Sequence, residues 1–126
     1  DQIVILKVLQ RYFKHFGCTV DTANNGSEAL EKFKTNKYDL ICIDLMMPQL
    51  DGKSATRQMR QIEKQQSPAA TPTPIVIMSA NAVKEVLNEC LEAGANQYVT
   101  KPVYMTTIEA IVKKYAHVKT TTAQSS

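Results

Sequence analysis

A chain of 126 residues, 44% apolar and 21% charged, has the size and composition of one globular domain with a single core, too short for two. Fifteen Lys and Arg against twelve Asp and Glu leave a net charge of +3, which does not argue for nucleic acid or an anionic membrane as partner. No apolar run reaches a membrane span, no signal-peptide pattern opens the chain, and Cys18, Cys42 and Cys90 lack metal-ligand spacing and read as buried, reduced thiols of a cytoplasmic protein.

Residues 3–16 space Ile5, Leu6, Leu9, Phe13 and Phe16 as one face of a helix, widened by Val8 and Tyr12, and Gly17 follows as a stop. Cys18 to Ala23 alternates as a short strand. A turn at Asn24-Asn25-Gly26 leads into a helix through Ala29, Leu30 and Phe33, with Asn25 and Glu28 resembling a capping box. Leu40 to Ile43 is an unbroken apolar run suited to a strand covered on both faces. A helix from about Lys53 to Glu63 carries Ala55, Met59 and Ile62, and residues 64–74, with three of the five prolines, form a surface connection without core content. Ile75 to Met78 is a second continuous strand. Val83, Val86, Leu87, Cys90 and Leu91 form a helical stripe stopped by Gly94, and a strand over Gln97–Val99 precedes Lys101-Pro102. The last helix carries Ile108, Ile111, Val112 and Tyr115, and the polar tail from Lys119 is read as disordered. Strands and helices alternate with short connections, which argues for an open α/β sheet with right-handed crossovers and function at the carboxyl ends of the strands.

Three strand ends carry reactive groups: Asp44 ends the first buried run, Ser79 the second, and Lys101 follows the third. Each alone is an ordinary cap or turn residue. Together on one sheet edge they suit phosphoryl transfer: a carboxylate can attack phosphorus, an ammonium suits one phosphoryl oxygen and a hydroxyl another. A divalent cation is the missing part, and Mg²⁺ takes oxygen ligands, usually one or two carboxylates with water and phosphate. Asp1 is the obvious second carboxylate.

The run Ile-Asp-Leu-Met-Met-Pro-Gln-Leu-Asp-Gly (43–52), with Met-Ser-Ala-Asn (78–81) and Tyr-Val-Thr-Lys-Pro (98–102), resembles a response-regulator receiver domain. The resemblance extends to about Tyr115. It implies a flavodoxin-like, doubly wound parallel sheet of order 2-1-3-4-5, with Asp44 as phosphoacceptor, Ser79 as switch hydroxyl, Tyr98 as aromatic switch and Lys101 as the family's lysine. It further implies that Asp1, Asp44 and the backbone carbonyl of Met46 hold Mg²⁺, that Pro102 follows a cis peptide bond, that Gly52 permits the turn into the third helix, and that Met46 and Asn81 tune dephosphorylation. On this alignment Asp1 opens the first helix as the second acid of the family's pair, so the first acid and the strand before it are missing. A central strand buries several side chains worth roughly 1.5–3 kcal/mol each, comparable to the stability of a small domain. The expectation is therefore a receiver domain over 1–118 that lacks its first strand, with a disordered tail over 119–126, and a native protein that continues upstream or borrows a strand.

The implied activity is to take a phosphoryl group from phosphohistidine onto Asp44 with Mg²⁺ and to switch partner binding through the fourth helix, fifth strand and fifth helix. The domain would catalyse its own phosphorylation and dephosphorylation. The Pro-rich connection and the run Ser-Ala-Thr-Arg-Gln-Met-Arg (54–60) favour a receiver of a hybrid histidine kinase, whose partner is a histidine kinase or a histidine-phosphotransfer protein. Val8 or Tyr12 of the first helix is a candidate contact for that partner, and no nucleic-acid or membrane contact is expected of this domain. The alternatives are a degenerate receiver that binds without being phosphorylated, and a phosphate-ester hydrolase using an aspartyl phosphate. The hydrolase would need a second Asp where Met46 stands.

Overall fold

The apolar runs Leu40–Asp44 (β3) and Ile75–Ser79 (β4) lie side by side as parallel strands in the computed structural model, with Ile41 paired to Ile75 and Asp44 to Met78. Residues 10–45, 51–66, 72–80 and 83–116 are described, together with the backbone of 2–5. Around this pair the strands β1 (Gln2–Ile5), β2 (Thr19–Thr22) and β5 (Gln97–Thr100) complete a parallel sheet of order β2-β1-β3-β4-β5. The helices are α1 (Gln10–His15), α2 (Gly26–Thr35), α3 (Gly52–Gln66), α4 (Lys84–Glu92) and α5 (Met105–Ile111), the last continued by a π-helical turn over Val112–Ala116.

Side chains of a strand alternate between faces, and the core divides accordingly. Leu40, Cys42, Val76 and Met78 join Phe13 of α1 and Ile108 and Ile111 of α5 on one face. Ile41, Ile43, Ile75 and Ile77 join Leu30 and Phe33 of α2, Ala55 and Met59 of α3 and Cys90 of α4 on the other. Both faces of β3 and β4 are thus covered, which explains why these strands read as continuous apolar runs. The three cysteines are free and buried, and burial raises each thiol above its ordinary pKa, keeping it protonated.

The expected absence of the first strand is overturned. Gln2–Ile5 forms β1 in the centre of the sheet, with Ile3 opposite both Val20 and Leu40, and the helix begins only at Gln10. Three consecutive β-branched residues, Ile3-Val4-Ile5, lose little by being extended and are poor helix formers, and a slot between two parallel strands offers both rows of backbone groups their partners. The helical spacing counted from Ile5 therefore crossed an element boundary. Residues 6–9, with Val8, are outside the described set. Tyr12 packs against the core rather than standing free.

At the exposed edge, β2 is fastened by a polar cluster. Asp21 accepts hydrogen bonds from the Tyr38 hydroxyl at 2.6 Å and from Lys32 Nζ at 2.9 Å, and Lys32 also reaches the Thr22 carbonyl. The Tyr38 hydroxyl, then Lys32, holds the Asp21 carboxyl below its ordinary value of 3.8, so its stabilising contribution is present above that pH and is lost as the pH falls through the lowered value. Burial, then the Asp21 carboxylate, pushes the Tyr38 phenol up. Asp21→Asn should lower stability at pH 7 by about 0.5–1 kcal/mol, since the pair is partly open to solvent. The gap from the native protein should close as urea melts are taken down through pH 3.8.

Candidate active site at the carboxyl edge of the sheet

Parallel pairing brings Asp44, Ser79 and Lys101 to one edge, and three backbone contacts hold them there. Leu45 N–H donates to the Met78 carbonyl at 2.8 Å and Lys101 N–H to the Ser79 carbonyl at 2.8 Å, so the ladder runs past the ends of β3 and β5. Gly52 N–H donates to the Leu45 carbonyl at 2.9 Å and closes the loop between β3 and α3 at its base. Asp51 caps α3, its Oδ1 accepting from Ser54 N–H at 2.8 Å.

Asp44 and Lys101 form an ion pair, Oδ1 to Nζ, with side chains 19% and 44% exposed. A carboxylate this shielded is partly desolvated while the ammonium stem reaches in from solvent, a geometry in which a point charge can follow a new anionic group without unfolding anything. Ser79 is buried at 4% exposure, beside Thr100 in the register. The peptide between Lys101 and Pro102 is cis. Tyr98 is not at this edge: it pairs with Ile77, below Ser79, and packs half-buried against the core on the α2–α3–α4 face. Asp1, Met46, Asn81 and the tail 119–126 lie outside the described residues. The premise for Asp1, that it opens the first helix, does not hold, because a strand follows it.

Gly52 is needed for a reason different from the expected turn. Its φ is not positive. Instead, a Cβ there would overlap the Asp44 carbonyl oxygen and lie 2.8 Å from Ile43 Cγ2. Two further residues escaped the sequence reading because most of their partners are distant in the chain. Lys53, next to Gly52, reaches Glu89 of α4 at 2.6 Å. Arg60 donates to the Gly94 carbonyl at 2.9 Å, the Thr73 carbonyl at 2.9 Å, Glu63 at 2.7 Å and Asn96 at 2.8 Å. The approach of Gly52 to β3 could have been suspected from a Gly closing a short loop; the Lys53–Glu89 contact and those of Arg60 to Gly94 and Asn96 left no local signal.

Among the described residues no three His, Cys, Asp or Glu side chains gather as a cation cage. Among the described residues, the carboxylate at the strand ends is that of Asp44, 19% exposed beside the Lys101 ammonium. This fits Mg²⁺, which keeps most of its water and takes one or two carboxylates with phosphate, and does not fit a structural zinc site. No helix among the described residues is long and apolar enough to cross a membrane.

Residues 1–113 match the family model described as the response regulator receiver domain. The chain is 32% identical over 118 residues to hybrid signal transduction histidine kinase L of Dictyostelium discoideum, covering 91% of this chain and 7% of that protein's length. It therefore spans a small part of such curated relatives. Its fold matches, at TM-score 0.85 and 26% identity over 94% of this chain and 90% of the other, the receiver domain of the Saccharomyces cerevisiae response regulator Ssk1, co-crystallised with the histidine phosphotransfer signaling protein Ypd1. It also matches, at TM-score 0.78 and 28% identity over 91% and 96%, the receiver domain of sensor histidine kinase PA1611 of Pseudomonas aeruginosa PAO1, solved with a magnesium ion coordinated in the active site cleft. With its five-stranded sheet of order β2-β1-β3-β4-β5, its Asp, Ser and Lys at the strand ends and these relatives, the chain belongs to the response-regulator receiver domains of two-component signalling.

Proposed function

We propose that Asp44 is the phosphoacceptor of a phosphorelay and receives its phosphoryl group from a phosphohistidine of a histidine kinase or histidine-phosphotransfer protein. The observation that carries this reading is the Asp44–Lys101 ion pair at the sheet edge, next to Ser79. A carboxylate oxygen of Asp44 attacks phosphorus, the P–N bond of the donor breaks, and the imidazole leaves with its electron pair. Positive charge and positioning do the catalytic work in such transfers. Lys101 moves from Asp44 to a phosphoryl oxygen, and the Ser79 hydroxyl donates to another. Asp44 would hold Mg²⁺, which would supply positive charge to offset the repulsion between the carboxylate and the phosphoryl group. The Met46 carbonyl remains the further ligand proposed from the family resemblance; Asp1 is not proposed again, because its place in that resemblance was the start of a helix and a strand follows it.

Phosphorylated Asp44 is an acyl phosphate, so hydrolysis resets the domain, and contacts to the new phosphate shift a pre-existing equilibrium between two arrangements, with Ser79 and Tyr98 as the switch pair. The 32% identity to a hybrid signal transduction histidine kinase, with the Pro-rich connection before β4, supports a hybrid histidine kinase as the parent protein, and we place this domain in the cytoplasm with its phosphohistidine donor. Incubation with a radiolabelled phosphohistidine donor and Mg²⁺, followed by borohydride reduction and peptide mass spectrometry, should give homoserine at position 44. Reduction at another residue, or no incorporation with Mg²⁺ present, refutes the assignment.

A further inference from the structure

Two helices of this fold begin in the same way. Asn25 caps α2 and Asp51 caps α3, each accepting at Oδ1, at 2.8 Å, from the N–H three residues on. In each the next residue is a glycine, Gly26 or Gly52. Asn25 is the one Asn of the chain that precedes a glycine, and Asp51 the one Asp. Such a pair can react with itself: the glycine nitrogen attacks the side-chain Cγ of the residue before it, and no Cβ shields that nitrogen.

The two pairs differ in what holds the glycine nitrogen. Gly52 N–H donates to the Leu45 carbonyl at 2.9 Å, and the Gly52 backbone lies against the Asp44 carbonyl. That nitrogen cannot lose its proton or move without opening the loop between β3 and α3. Gly26 N–H is the first of α2, where a helix supplies no acceptor, and among the described residues it donates to none. Asn25 is half-buried, and Asn24 and Ser27 around the pair are exposed, while Gly26 itself is buried. The restraint on this pair is the cap. Asn25 sits at ψ 176 with Oδ1 on Glu28 N–H, and Glu28 Oε1 returns to Asn24 N–H at 2.8 Å. Swinging Cγ onto Gly26 N withdraws Oδ1 from Glu28, so reaction waits for the cap to open.

We propose that Asn25 is a site of spontaneous deamidation gated by release of the α2 cap, and that the Leu45 carbonyl protects the matching Asp51-Gly52 pair beside the active site. Gly26 N gives its proton to solvent base and bonds to Asn25 Cγ. The Cγ–Nδ2 bond breaks, and ammonia leaves with a proton taken from water. Solvent water then opens the five-membered imide, at Cγ to give aspartate or at the main-chain carbonyl carbon to give iso-aspartate. One water is consumed, one ammonia is released, and nothing is oxidised or reduced. The aspartyl product keeps an oxygen for Glu28 N–H and adds negative charge at the positive end of α2. The iso-aspartyl product lengthens the main chain by one carbon and loses the cap. This inference goes beyond the phosphoacceptor reading and does not rest on it.

The native protein and the chain unfolded in guanidinium chloride are incubated side by side in mildly alkaline buffer. Residues 25 and 51 are followed by peptide mass spectrometry, with isoaspartyl methyltransferase counting iso-aspartate. Asn25 should convert in the native protein about fivefold more slowly than in the unfolded chain, the factor of one lost N-cap. The ratio of unfolded to native rate at Asp51 should exceed that at Asn25 by about tenfold, since reaction there also breaks the Gly52–Leu45 bond. Glu28→Ala removes the return contact to Asn24 and should speed conversion of Asn25 while leaving Asp51 unchanged. Asn25→Ser keeps a cap and should form no acid at this position. Separated from one another, the iso-aspartyl form should melt below the aspartyl form. An Asn25 that stays intact in the native protein while it converts in the unfolded chain would overturn the proposal. Equal protection at residues 25 and 51 would remove the role given to the Leu45 carbonyl.

Discussion

Gly52→Ala should destabilise the domain by about 2–3 kcal/mol, lowering the melting temperature by roughly 8–15 °C, although the change adds one methyl group. The new Cβ would overlap the Asp44 carbonyl oxygen and stand 2.8 Å from Ile43 Cγ2. Neither neighbour gives way readily: the carbonyl belongs to Asp44, which is paired to Met78 of β4, and Ile43 is 2% exposed in the core. Relief therefore has to come from moving the first turn of α3 away from β3, which lengthens the Gly52–Leu45 hydrogen bond closing the loop. Gly94→Ala is the comparison. There the neighbour is Arg60 Cγ at 2.7 Å, the middle of a flexible side chain, and the penalty comes mainly from φ at +117 and disturbed Arg60 bonds. Thermal melts of the two variants separate the causes. In Gly52→Ala the loss should be accompanied by a weakened Asp44–Lys101 site, read as slower phosphoryl incorporation at temperatures where the variant is fully folded. Gly94→Ala should incorporate at the native rate. A Gly52→Ala protein as stable as the native one would mean that α3 is free to shift against β3.

The same contrast between near and far partners separates what could be read in the sequence from what could not. β3 and β4 were legible because covering both faces of a parallel strand demands an unbroken apolar run, and Leu40–Ile43 and Ile75–Met78 supply it. The start of α2 was legible because its cap is local: Asn25 Oδ1 accepts from Glu28 N–H at 2.8 Å. The return contact goes to Asn24 N–H, one residue earlier than the capping-box pattern has it. β1 was not legible, since Ile3-Val4-Ile5 followed by Leu6 and Leu9 fits both a strand and a helical stripe, and only pairing with Thr19–Thr22 and Leu40 decides. The strand ends were legible as chemistry, because Asp, Ser and Lys each follow an apolar run. What assembles around them was not. Lys53 meets Glu89 and Arg60 meets Gly94 and Asn96 across more than thirty residues, and polar contacts at such distances carry no periodic signal. The exposure of Val83 and Leu91 was hidden for the opposite reason: a helical stripe states which residues share a face, and does not state whether that face is covered.

Lys101→Met should slow phosphoryl incorporation at Asp44 by about a hundredfold to a thousandfold, the range for removing one preorganised donor from a site where charge develops. The pair it breaks has an asymmetric exposure, 44% for Lys101 and 19% for Asp44. Met keeps most of the apolar stem and removes the charge, so the fold should survive with a melting temperature within a few degrees of the native value. Lys101→Arg should recover only part of the rate, because a planar fork cannot follow a phosphoryl oxygen as a point charge does. A second measurement tells loss of catalysis from loss of structure. Lys101 and Mg²⁺ are two cations drawn to the same Asp44 carboxylate, so removing the first relieves repulsion on the second, and Lys101→Met should bind Mg²⁺ severalfold more tightly by calorimetry at low ionic strength. Slower transfer with tighter metal binding is the signature of a lysine that works on the phosphoryl group rather than by recruiting the ion. If Mg²⁺ binding weakens instead, Lys101 is holding the carboxylate in place and its role is positional. If incorporation proceeds at the native rate, the charge that stabilises transfer comes from elsewhere and the proposed role of Lys101 falls. Asp44→Asn sets the zero for both measurements: it removes the nucleophilic oxygen and the metal's carboxylate together, and should accept no phosphoryl group at all.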